Sequence, residues 1–170
     1  MKNIILIAII ILTFFIYCRK STLEVIPPNF FSKMKDGNYS GFEVKNGGNT
    51  VSIGNTNYTF ESDIMGIVGI YQDKTNSSNY VGVFPIGDTM HTVTMDNKRK
   101  EALTQILEVV GEENSLNVIK ELSNGNGGKL DTEAITKNLD AKKKAEVEKI
   151  IKDSGLDKNK FGDYKEYKKT

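Results

Sequence analysis

Between Tyr39 and Met95 the apolar residues fall mostly on alternate positions. Phe42, Val44, Val51, Ile53, Tyr58 and Phe60 interleave with Glu43, Lys45, Ser52, Thr59 and Glu61, and a period of two with one apolar face predicts half-buried strands. The segments Asn46-Gly47-Gly48-Asn49 and Gly54-Asn55-Thr56-Asn57 separate these runs, and Asn/Gly pairs readily supply the positive φ of hairpin turns. Ile64 to Tyr71 is apolar on both parities with Gly66 and Gly69 interposed. That pattern predicts one central strand covered on both faces, its glycines marking a close approach or a bulge. After the polar loop Gln72 to Asn79 comes a strand from Tyr80 to Phe84, ended by Pro85 and Gly87. A last strand runs from Thr89 to Met95.

At Asp96 the period changes to that of a helix. Leu103, Ile106, Leu107 and Val110 share one face, with Asp96 as N-cap and Gly111 as terminator. Leu116, Ile119 and Leu122 repeat the spacing in a second helix, which the run Asn124 to Gly128 breaks off. Leu130 and Ile135 bracket Asp131 as a hydrophobic staple brackets an N-cap, starting a short third helix. Asp140 begins a fourth with apolar positions Val147, Ile150 and Ile151, and Gly155-Leu156 fits a Schellman ending. Strands followed by helices without alternation predict an α+β fold. The expected architecture is an antiparallel β-meander of about five or six strands over roughly 39–95, with three or four α-helices over roughly 97–154 packed on it. Residues 30–156 would form the single globular domain, with Phe30, Phe31 and Met34 the first to seek a core. Residues 157–170, mostly charged and polar, predict a frayed C-terminal tail.

The N-terminus follows a different grammar. Met1-Lys2-Asn3 leads into an unbroken apolar stretch from Ile4 to Tyr17, which stops at Cys18. Positive start, apolar run and processing residue are the parts of a secretory signal. A spanning helix is the rival: fourteen residues rise about 21 Å against a hydrocarbon core of about 30 Å, and Arg19-Lys20 prevent extension. An uncleaved anchor and a secretory signal with a coincidental cysteine remain open on these residues. Cys18 is the only cysteine, so it cannot form an internal disulfide in an exported domain. Phe15-Ile16-Tyr17-Cys18 resembles the lipobox of bacterial lipoproteins, in its relaxed spirochaete surface-lipoprotein form. Tyr17 stands where the family usually has Gly, Ala or Ser, and Phe15 where it usually has Leu. The resemblance covers the first twenty residues. It implies removal of residues 1–17 as a signal peptide, lipid attachment at Cys18, and residues 18–29 as a lipid-attached tether. That segment contains Pro27-Pro28, which resists helix.

Charge narrows the partners. The chain has 23 basic and 22 acidic residues, and Lys2 is the only charge before Cys18, so the mature chain is neutral. A neutral chain argues against nucleic acid, which selects a clustered basic face. Lys98-Arg99-Lys100 and Lys142-Lys143-Lys144 each fall in a first helical turn, where positive charge opposes the macrodipole. Interleaved with Glu101, Glu146 and Glu148, they read as solvated surface.

Candidate chemistry is sparse. His91 is the only histidine, so no histidine cluster is available for zinc. Its parity with Val93 and Met95 predicts a residue at the core; for acid–base work it would need a nearby carboxylate such as Asp88. No G-x-S-x-G or phosphate-binding glycine motif occurs. Asp157 to Gly162 opens like an EF-hand loop, but Phe161 and Lys168 stand where oxygen ligands are required. The sequence therefore predicts no catalytic residue, no metal site and no cofactor. The expectation is a non-enzymatic interaction module, held to the bilayer through acylated Cys18 and meeting a protein or other extracellular ligand through its hairpin loops and helical face. The resemblance implies an outer-membrane position, displayed at the cell surface towards a host or vector. A periplasm-facing envelope role is the alternative, and an envelope-acting enzyme using His91 the third reading.

Overall fold

The structure is a computed structural model and describes Phe31 and residues 34–170. Phe30, the tether and the apolar leader lie outside the described residues. Seven strands come first: β1 (Gly37–Tyr39), β2 (Phe42–Lys45), β3 (Thr50–Ile53), β4 (Thr56–Ile64), β5 (Val68–Asp73), β6 (Asn79–Ile86) and β7 (Thr89–Asp96). Four helices follow: α1 (Asn97–Val110), α2 (Glu112–Asn124), α3 (Thr132–Thr136) and α4 (Ala141–Ser154). An eighth strand, β8 (Asp163–Lys168), ends the chain. All eight form one antiparallel meander in sequence order. The sheet curls until its last strand approaches its first. The Thr170 hydroxyl donates to the Asn38 carbonyl at 2.9 Å, and the Tyr167 and Phe42 rings lie 5.5 Å apart.

The α+β class and the meander agree with the sequence pattern, but there are eight strands rather than five or six. The two additional strands among the described residues are β1, ahead of Phe42, and β8, and the bounds of others shift. The expected strand from Ile64 to Tyr71 is divided between β4 and β5, because Met65 and Gly66 take φ of 54° and 69° and turn the chain. The strand expected to stop at Pro85 continues to Ile86. Its last pairing with β5 is Val83 with Gly69, so one side of β6 is free where proline lacks its N–H. The expected C-terminal tail contains β8, in register with β7 from Thr94–Asp163 to Thr89–Lys168.

The curled sheet has a core on each face. Inside it lie Phe31, Met34, Phe42, Val44, Val51, Tyr58, Tyr71, Val81, Val83 and Met90. Outside, Ile64, Val68, Ile70, Phe84, Val93 and Met95 meet the helices through Leu103, Ile106, Leu107, Val118, Ile119, Val147 and Ile151. A bulge between Phe60 and Ser62 changes which parity of β4 faces inward. Tyr58 therefore belongs to the inner core and Ile64 to the outer.

The helix ends form as the sequence predicts. Asp96 accepts from the Arg99 amide at 2.9 Å, Asp131 from Glu133 and Ala134 at 3.1 Å each, and Asp140 from Lys143 at 2.9 Å. These bonds satisfy amides that have no partner inside the helix. Gly155, at φ 73°, closes α4 with its amide on the Lys152 carbonyl and that of Leu156 on Ile151. The apolar face of α2 differs by one position: Ser115 and Val118 are buried beside Ile119 and Leu122, and Leu116 is exposed.

Candidate functional site

Because the strands alternate in direction, the connections fall at two ends of the curled sheet. Ser40-Gly41, Gly54-Asn55, the loop 74–78, the start of α1 and residues 157–162 lie at one end. The turns 46–49, 65–67 and 87–88 lie at the other, with the C-terminus.

His91 is on the outer face of β7, in line with Val93 and Met95, and is 7% exposed. Its ring stacks on Phe84 across the strand pair, with centroids 5.4 Å apart and planes at 13°. On the other side β8 supplies Tyr164 and Glu166. The Tyr164 hydroxyl donates to Glu166 Oε1 at 2.6 Å and is hydrogen-bonded to His91 Nδ1. With its one proton given to Glu166, the tyrosine oxygen accepts from Nδ1–H, which fixes the neutral tautomer. Glu166 Oε1 lies 3.7 Å from Nδ1.

Burial lowers the His91 pKa, and the Glu166 charge opposes that shift. Burial, aided by the bond to Glu166, pushes the Tyr164 phenol up to about 12. At neutral pH the imidazole and the phenol are thus both neutral. A histidine stacked on Phe84 and hydrogen-bonded to Tyr164 ties β8 to β7. Its Nδ1 is engaged in that bond, and the lone pair of this neutral tautomer sits on Nε2.

The carboxylate facing His91 is Glu166, not Asp88, which is exposed in the β6–β7 turn. Asp88 borders an open depression of about 560 Å³ with Thr89, Lys168, Lys169 and Thr170. Neither Tyr164 nor Glu166 stands out in the sequence, because both belong to the segment read as a tail.

A second open groove, of about 470 Å³, lies at the opposite end between Tyr58, Asn79, Arg99 and Lys160. Its charges are matched internally. Arg99 Nη1 meets Asp96 at 2.6 Å, and its Nε donates to the Lys160 carbonyl at 3.1 Å. Lys160 Nζ meets Asp163 at 2.7 Å. The EF-hand-like segment forms one wall of this groove, and Phe161 is fully buried in the outer core. Among the described residues no three His, Cys, Asp or Glu side chains gather as a metal site.

The first basic triplet is only partly solvated. Lys100 lies 3.2 Å from Glu61 and 4.0 Å over the Tyr80 ring, pinning α1 to the sheet, whereas Lys98 is exposed. In the second, Lys142, Lys143 and Lys144 are all exposed, with Lys144 4.0 Å from Glu148.

The hairpin loops are built to different degrees. Gly54-Asn55 is a bare exposed turn. The loop 74–78 is held from within: Asp73 accepts from the Thr75 amide at 2.7 Å, the Thr75 hydroxyl at 2.8 Å and the Asn76 amide at 3.3 Å. The Thr75 amide bond leads the effects that lower the Asp73 pKa. Gln72 adds a bond to the Ser77 carbonyl at 2.9 Å. A loop ordered by its own hydrogen bonds can present Asn76, Ser77 and Ser78 with little further ordering cost.

Cys18, the expected lipid-attachment residue, lies outside the described residues. Among the described residues no helix is long and apolar enough to cross a membrane. No family model, curated protein or solved structure matches the chain.

Proposed function

We propose that this protein is a membrane-anchored bacterial lipoprotein whose α+β domain is a non-enzymatic interaction module, displayed at the cell surface. The observation that carries the reading is the order of residues 1–20: a lysine, an apolar run too short to span, a single cysteine, then Arg19-Lys20. Two features of the domain support it. His91 is buried, with its ring stacked on Phe84 and its Nδ1 bonded to the Tyr164 hydroxyl, which suits a structural role. The loop 74–78 is pre-ordered and exposed, which suits recognition of a protein surface.

Metabolic labelling with a radioactive fatty acid tests the anchor. Wild type takes up label and Cys18→Ala does not; label that persists in Cys18→Ala, or is absent from both, removes the reading. Protease treatment of intact cells then assigns the leaflet. Loss of the domain supports display, and survival supports the periplasm-facing alternative.

A further inference from the structure

We propose that the end of the curled sheet carrying the turns 46–49, 65–67 and 87–88 rests against the lipid bilayer, with Met65 and Ile86 touching lipid. This rests on the reading of Cys18 as the anchor.

The first argument is where the chain enters the fold. Phe31 is fully buried at this end. A Cβ on Gly69 would lie 2.6 Å from its ring, and one on Gly48 would lie 2.0 Å from its carbonyl oxygen. The Tyr71 hydroxyl, deep in the inner core, donates to the Gly48 carbonyl at 2.8 Å and reaches the Phe31 carbonyl at 3.5 Å. Met34 is buried beside it. The entry point is therefore fixed to the rim formed by the β2–β3 and β4–β5 turns.

The second is length. Thirteen peptide links join Cys18 to Phe31, and a flexible coil of that size spans about 20 Å. Strands of eight or nine residues run about 26–30 Å from end to end. Turning the far end to the membrane requires those links to be drawn out to about 26–30 Å, roughly two thirds of a fully extended length of about 43–47 Å; turning the near end requires no such extension.

The third is the surface itself. Three large apolar side chains are exposed among the described residues: Met65, Ile86 and, on α2, Leu116. The first two share this end. β5 and β6 are neighbouring strands, and the β4–β5 turn that carries Met65 lies at the same end of the sheet as Ile86, the last residue of β6. Met65 and Ile86 thus stand on neighbouring turns at the rim that the anchor holds closest to lipid. Charges here are mixed, Lys35, Lys168 and Lys169 beside Asp36 and Asp88, so the contact is apolar and insensitive to salt. The opposite end, with the loop 74–78, faces away from the membrane.

The test uses the full acylated chain in phosphatidylcholine vesicles. Met65→Cys, Ile86→Cys, Asn55→Cys and Ser77→Cys are each labelled with an environment-sensitive fluorophore. All four positions are exposed, so the fold tolerates them, and acylation leaves the introduced cysteine as the only free thiol. The expected result is quenching of positions 65 and 86 by lipids brominated on the acyl chain, with loss of quenching by aqueous iodide. Positions 55 and 77 should show the reverse. Acylated protein with all four positions equally open to iodide, or with 55 and 77 quenched by lipid, overturns the orientation while leaving the anchor intact. A Cys18 that itself reacts with the thiol label removes the anchor, and the orientation with it.

Discussion

The two cores of this molecule are built from different stretches of chain. The outer core is largely aliphatic and assembled from neighbours, since β6, β7 and α1 follow one another and α2, α3 and α4 close over them. The inner core is more aromatic, with Phe31, Phe42, Tyr58 and Tyr71, and is bordered by Tyr167 from the last strand. Residues far apart in the chain meet around it, Phe31 from before β1 and Tyr167 from β8. Local contacts form early and cheaply, whereas contacts between chain ends carry a large loop-closure cost. The outer core should therefore tolerate the loss of the inner one better than the reverse.

The largest expected effect comes from emptying one side of that comparison. Phe31→Ala should lower the free energy of unfolding by about 3–5 kcal/mol and Leu107→Ala by about 2–5 kcal/mol. The two should differ in kind. Phe31→Ala should alter the near-UV circular dichroism of the inner tyrosines while helical far-UV signal persists; Leu107→Ala should weaken both. Identical spectral responses would mean that the two cores act as one.

A smaller effect tests whether Phe31 is seated as tightly as the geometry implies. Gly69→Ala places a methyl 2.6 Å from the Phe31 ring and should cost about 1–3 kcal/mol. In a Phe31→Ala background the ring is gone and that cost should fall sharply. A double-mutant cycle with additive costs would deny the contact.

The smallest effect lies in the outer face at β8. His91 has a lowered pKa in the folded state, so between that value and the usual 6.5 or so the unfolded chain binds the extra proton. Stability contributed by neutral His91 is complete above about pH 6.5 and declines as pH falls below it. His91 is the only histidine, so urea unfolding between pH 5 and 7 should show this slope in wild type. His91→Gln should flatten it, and an unchanged slope would place the titration elsewhere.

How far the sequence showed all this depends on how local each cause is. Asp96, Asp131, Asp140 and Gly155 bond to backbone within four residues, so the helix ends were legible. The hairpins around Gly47 and Gly54 were legible for the same reason. β8 was not: its only apolar residues, Tyr164 and Tyr167, sit on opposite parities and are half-buried on different faces, against the outer and inner cores respectively. The turn at Met65 was hidden because its residues are as apolar as the strands beside it. His91 was correctly placed in line with Val93 and Met95. Its partner could not be found, because Glu166 reaches it only through the β7–β8 pairing.

That pairing spans the whole helical insertion, from Asp96 at the end of β7 to Asp163 at the start of β8. During synthesis, the β7 margin of the sheet stays bare until residues 163–170 have emerged. A chain cut short there leaves β7 as a long, flat template for a neighbouring copy. The charged residues of β8 thus cover an edge that β7 would otherwise present to a neighbour.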